Sequence, residues 1–250
     1  MNHVLRALAG LALIVPAAAG ARPSPAATAH PASAHPASGK PSRDKAAGKR
    51  TAPAIVPSDT VKRVAEWVAS TQDNHALPWA IVDKPHAALF LFDSKGKPLG
   101  AVPVLIGITA GDDASPGVGS KRLADLGPAE KTTPAGRFLA KFGMPVGGQR
   151  VLWVDYADSV ALHPIPKDVG PKERRRERML SPTSDDNRIT FGCINVPKAF
   201  YGGLLSPLFR KKGGYVYVLP DTKPLEEVFP PLRAQTVQTV QTVLNGTAAR

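Results

Sequence analysis

A long stretch before residue 58 is not expected to build a folded core, and that limit constrains the chain more than any other feature it has. Residues 22–57 are built from Ala, Pro, Ser, Gly and Lys, with no aromatic residue and almost no large aliphatic one. Such a stretch cannot bury enough apolar surface to offset the entropy of ordering it. It reads as a disordered linker, held extended by its prolines. The near-repeat of Ala29-His30-Pro31-Ala32-Ser33 at 34–38 is low complexity, so His30 and His35 are not read as metal ligands. Folding is left to residues 58–222, enough for a single core. The tail, 223–250, is expected to be weakly structured, and its Gln-Thr-Val triplets at 235–243 name no function.

Residues 1–21 read as an export signal. Arg6 lies in a short basic start, an apolar stretch follows, and Ala17-Ala18-Ala19 and Ala19-Gly20-Ala21 fit small-x-small cleavage. The apolar stretch is short for a bilayer span, so membrane attachment is expected only if the signal is retained as an anchor. The periplasm is the first expectation for location, with the cell wall or secretion second. Residues 1–57 carry seven Lys/Arg against one acid, half of the chain's +12. A basic surface favours anionic partners such as wall polymers. Nucleic acid is not expected, since the chain is exported and carries no nucleic-acid motif.

The apolar periods within 58–222 predict one helix and then strands. Ser58 or Asp59 can cap a helix to about Ser70, with Val61, Val64, Ala65 and Val68 on one side. Short runs at 87–93 and 101–108 flank a hairpin signal at 93–98. Further strands are expected at 137–142, 151–156, 159–163 and 215–219, and a short helix at 197–209. The charged run 171–180 reads as a helical, solvated insertion. The fold class is mostly β, a β-sandwich or compact β-rich domain with short helices.

Cys193 is the chain's one cysteine. An exported protein normally pairs its thiols, so an unpaired one points to reactivity. Its setting, Thr190-Phe191-Gly192-Cys193-Ile194-Asn195, is small and polar rather than apolar, which favours a nucleophile over a buried structural thiol. A thiol is mostly protonated near neutrality and needs a base. His3, His30 and His35 lie outside the domain, which leaves His75, His86 and His163. His163 ends a strand whose continuation leads to Cys193, and it is the candidate base.

These residues resemble the L,D-transpeptidase (YkuD-type) catalytic domains. Thr190, Gly192, Cys193, Ile194 and Asn195 match that family's Gly-Cys signature, with His163 upstream. Thr133-Pro134-Ala135-Gly136-Arg137-Phe138 matches a second family feature. The likeness runs over about 87–219, in the family's order. The chain resembles a divergent subgroup, because Phe191 replaces the histidine before Gly-Cys and the spacer from His163 to Thr190 is longer.

The resemblance implies an L,D-transpeptidase-like sandwich and a covalent cycle on peptidoglycan stem peptides. Cys193, deprotonated by His163, attacks the carbonyl of an L,D-amide bond, D-alanine leaves, and a thioester remains. An amine then gives a crosslink, whereas water gives carboxypeptidase chemistry. Backbone N–H groups of Gly192 and Cys193 are expected to meet the oxyanion, and the Pro164 carbonyl to hold the His163 tautomer. Thr190, Phe191 and Asn195 are expected to order the loop or meet substrate. Arg188 either meets a substrate carboxylate or forms an ordinary ion pair. Asp185, Asp186 and Asn187 lack calcium-loop spacing, and no metal, organic cofactor or oligomeric partner is expected; the protein reads as a monomer. The rival from another class is a catalytically inactive wall-binding module.

Overall fold

The computed structural model describes residues 54–143 and 150–234. The export signal, nearly all of the linker and the 235–243 triplets lie outside the described residues. The described part is mostly β. Helix α1 (Asp59–Thr71) is followed by β1 (Trp79–Asp83), β2 (Ala88–Phe92), β3 (Pro98–Pro103), β4 (Ile106–Gly107), β5 (Gly136–Gly143), β6 (Val151–Asp155) and β7 (Val160–Pro164). Then come α2 (Arg175–Met179), β8 (Arg188–Thr190), β9 (Ile194–Val196), α3 (Lys198–Phe200), α4 (Ser206–Phe209), β10 (Gly214–Val218) and α5 (Leu225–Val228).

Helix α1 starts where its sequence says. Ser58 caps it by accepting the Val61 N–H at 3.2 Å, and its hydroxyl donates to Asp83 at 2.7 Å. Val61, Val64, Trp67 and Val68 are buried together on one stripe. Each such side chain contributes about 1.5–3 kcal/mol on leaving water. The hairpin signal at 93–98 is also a real turn: the Asp93 carboxylate accepts the N–H groups of Lys95 and Lys97, and Gly96 takes a φ of +85°.

Eight strands form one mixed sheet in the order β3-β2-β1-β10-β5-β6-β7-β9, and β4 pairs with β8 in a second, two-stranded sheet. β1 runs parallel to β10, β7 parallel to β9 and β4 parallel to β8; the other pairs are antiparallel. The large sheet curls far enough for its two edges to meet. Leu105, just past edge strand β3, exchanges two backbone hydrogen bonds with Asn195 in β9, at the other edge. Between the edges lies one core, with Val82, Leu91, Ile106, Leu152, Leu162, Ile194 and Phe209 all buried. The other face of β1, β2 and β10 packs against α1 through Trp79, Ile81, Phe90 and Tyr217. β1 is therefore covered on both faces, which is why all five of its residues are buried.

Three expectations need correction. The end of the linker is not idle, because Ile55 packs, partly buried, against the cluster under α1. Nor is the described part of the tail, 224–234, loose: α5 forms, and Phe229 and Leu232 are buried with Val64 and Trp67 under α1. Two apolar side chains suffice to pin a segment whose composition looked idle. The charged run is not simply solvated either. It breaks into a 3₁₀ turn (Pro171–Glu173) and α2, anchored by buried Met179. Arg178 ties it down by donating to the carbonyls of Glu173 at 2.9 Å and Asp186 at 3.1 Å.

No helix among the described residues is long and apolar enough to cross a membrane.

Candidate active site

The parallel pairing of β7 with β9 sets Leu162 beside Ile194 and His163 beside Asn195. Strand side chains alternate between faces. Leu162 and Ile194 point into the core and are fully buried, so His163 and Asn195 share the opposite face. Cys193 immediately precedes β9, at the entry to the strand beside β7. Thiol and imidazole, 30 positions apart in sequence, are thus brought to one pair of neighbouring strands.

A carbonyl can only accept, so His163 Nδ1 carries the proton it donates to Pro164 O at 2.7 Å. That leaves Nε2 as the unprotonated nitrogen. It receives a long hydrogen bond, 3.5 Å, from the Asn195 amide nitrogen. Burial lowers the His163 pKa, the Pro164 carbonyl opposes this, and the positive charge of Arg175 adds to the lowering. Cys193 is half-buried, and its thiol donates to Ser159 O at 3.7 Å rather than to the imidazole. Burial raises the thiol pKa, while the Ala161 backbone and the Arg175 charge pull it down. Burial of each thus favours the neutral thiol and the neutral imidazole.

The loop that presents the cysteine is held from below. Thr133 Oγ1, fully buried, accepts the Gly107 N–H at 2.9 Å and donates to Gly192 O at 2.8 Å. Thr190 Oγ1 donates to Cys193 O at 2.6 Å and accepts the Gly192 N–H at 3.3 Å. Gly192 has a φ of +120°, and a Cβ there would sit 2.8 Å from the Thr132 carbonyl oxygen. Both features require glycine. Gly192→Ala is accordingly expected to lose about 1–3 kcal/mol in urea unfolding and to slow alkylation of the thiol by iodoacetamide.

Three of the expected roles change on this geometry. The Gly192 N–H is already directed at Thr190, so it is not a free oxyanion donor. Arg188 pairs with Asp221 at 2.5 Å and reaches toward Gly107 O, so its guanidinium is committed within the protein. Asn195 is wholly buried between the imidazole and Arg175, whose Nη1 donates to Asn195 Oδ1 at 2.9 Å. Phe191, by contrast, is 43% exposed beside the cysteine, with the Lys131 ammonium 4.2 Å above its ring. The other histidine near a strand start, His86, sits on Asp83 at 3.0 Å, away from the cysteine.

Arg175 escaped the sequence reading because it lies in a charged run. The available signal was the length of the spacer itself, which has to return the chain from His163 to β8 across this face. Among the described residues, no group of three or more His, Cys, Asp or Glu is placed to hold a metal ion.

No family model and no curated protein sequence matches this chain. Among solved structures, it is similar to an L,D-transpeptidase from Xylanimonas cellulosilytica at 14% identity and a TM-score of 0.37, covering 57% of this chain and 60% of that one. It is similar to the catalytic domain of an E. faecium L,D-transpeptidase at 17% identity and 0.33, over 57% of this chain and 96% of that one. It is also similar to the helical cell shape determining protein Pgp2 from Campylobacter jejuni at 14% and 0.37, over 67% of this chain and 58% of that one. The first and third likenesses thus span under two thirds of those chains. At such identities and TM-scores, function has to come from the residues of the site.

Proposed function

We propose that this protein is a cysteine acyltransferase acting on peptidoglycan stem peptides, with Cys193 as nucleophile and His163 as general base. The reading is supported by one observation above all. The imidazole, locked at Nδ1 by Pro164 with Nε2 unprotonated, lies on β7, and the sole thiol stands at the entry to the adjacent strand β9. A neutral imidazole can take the thiol proton as the sulfur attacks a carbonyl. The sulfur–carbon bond forms, the amide C–N bond breaks, and the imidazolium returns its proton to the departing amine. The Cys193 N–H is the backbone donor proposed for the oxyanion. The substrate class comes from the motif resemblance of residues 133–138 and 190–195; action outside the cytoplasm, first in the periplasm, comes from the export-signal pattern of residues 1–21.

Intact-mass analysis after incubation with muropeptides tests the assignment. The wild type is expected to show a thioester adduct, formed at least about 100-fold more slowly in His163→Ala. An unmodified wild type that still binds wall material would instead make the domain a wall-binding module, a reading that exposed Phe191 favours. Crosslinked products identify an amine acceptor, and shortened stems identify water.

A further inference from the structure

The segment between the two candidate catalytic residues reaches back over them. α2 places Arg175, whose side chain is only 12% exposed, against buried Asn195. The guanidinium donates through Nε to Glu173 at 2.6 Å and through Nη1 to Asn195 Oδ1 at 2.9 Å. Arginine has no acceptor, so the carboxamide oxygen has to face it. The Asn195 NH₂ is thereby turned toward His163 Nε2. A continuous chain results: Glu173, Arg175, Asn195, His163, Pro164 carbonyl.

We propose that Arg175 is a positioning residue for the base: it fixes the Asn195 carboxamide with its NH₂ toward the ring, and so holds His163 as the neutral Nδ1–H tautomer with Nε2 free of a proton. An imidazolium would direct an Nε2–H at an N–H donor, with a guanidinium behind it. Both features oppose protonation of the ring before substrate arrives. The same positive charge favours the thiolate, so Arg175 acts on the two partners in opposite electrical senses. Arg175 is the charged side chain that lowers the pKa of both partners, and it is itself paired with Glu173. The network keeps the base ready to accept a proton yet prevents a resting thiolate–imidazolium pair from forming. This rests on His163 acting as the base.

The test is ¹⁵N-histidine NMR titration of wild type, Arg175→Met and Arg175→Lys, with near-UV circular dichroism confirming the fold. In the wild type, His163 is expected to be the Nδ1–H tautomer and to titrate below the usual imidazole range. In Arg175→Met the amide is free to rotate and offer its oxygen to Nε2, so the His163 pKa should rise by about one unit. Arg175→Lys, which also only donates, should remain close to wild type. A wild-type Nε2–H tautomer, or equal titration in wild type and Arg175→Met, would overturn the assignment. If Arg175→Met does not fold, Arg175→Ala takes its place in the comparison, and a wild-type value at or above the usual range also counts against the assignment. A parallel measurement separates this from the wider reading: if iodoacetamide alkylates Cys193 equally fast in wild type and His163→Ala, His163 is not the base, whatever its tautomer.

Discussion

Cys193→Ala is expected to abolish covalent capture of a carbapenem or a tetrapeptide stem, slowing any residual turnover by at least about a thousandfold. Nothing else in the chain can replace the sulfur, since the sequence holds one cysteine. The fold should not suffer. The thiol is half-buried and makes one long hydrogen bond, so urea unfolding should shift by less than about 1 kcal/mol. The pH dependence carries its own sign. The base works when neutral, and burial with the Arg175 charge lowers the His163 pKa. Acylation should therefore persist as pH falls through the ordinary imidazole range and disappear only below it. Intact mass against time, over a pH series, measures both statements. Full acylation of Cys193→Ala would end the covalent reading.

Lys84→Met is expected to be the most damaging single change to stability. Lys84 is completely buried; its ammonium sits 2.9 Å from Asp112 and 3.3 Å from Asp221, and Asp221 also pairs with Arg188. Two cations and two anions balance in a largely buried cluster. Removing one cation strands carboxylate charge, at a cost of about 3–5 kcal/mol. For a domain of this size that corresponds to roughly 10 °C in Tm. Lys84 also donates to the Thr133 carbonyl at 2.9 Å, and Thr133 supports Gly192, so thiol alkylation should change along with stability. Replacing both Lys84 and Asp112 by apolar residues should cost less than the single change, because no lone charge remains.

Acid supplies a second handle on the same cluster. Asp112 accepts backbone hydrogen bonds from Asp221, Thr222 and Lys223 and a further one from Lys84. These outweigh the opposing effect of burial and hold its pKa well below the usual carboxylate range. A carboxyl group depressed on folding stabilises fully above its unfolded value, near pH 4, and that contribution is lost as pH falls toward the folded value. Stability measured by urea titration between pH 5 and pH 2 should fall in the wild type and fall less steeply in Asp112→Asn. Equal slopes would show that the cluster does not govern acid sensitivity.

Both predictions trace to features of different legibility. The strand around His163, the Gly-Cys turn and the Thr133 motif are local patterns, visible as short apolar runs and fixed residue spacings. The cap at Ser58 and the turn at 93–98 are likewise set by neighbours in sequence. β1 lacks any alternation because both of its faces are covered, and the three-residue strands β8 and β9 are too short for a period to show. The Lys84 quartet draws on residues more than one hundred positions apart, and each looks like a surface charge when read alone.

From its sequence this chain declares that strands dominate its folded part, and which thiol and imidazole to examine, because each of those depends on side chains close together along the backbone. Its three-dimensional packing alone decided that Arg188 belongs to a buried ion cluster, that Arg175 and Asn195 stand behind the imidazole, and that Phe229 and Leu232 secure the tail. Charge pairing and burial depend on distance through space, and curling the sheet until its edges meet creates neighbours that no spacing along the chain records.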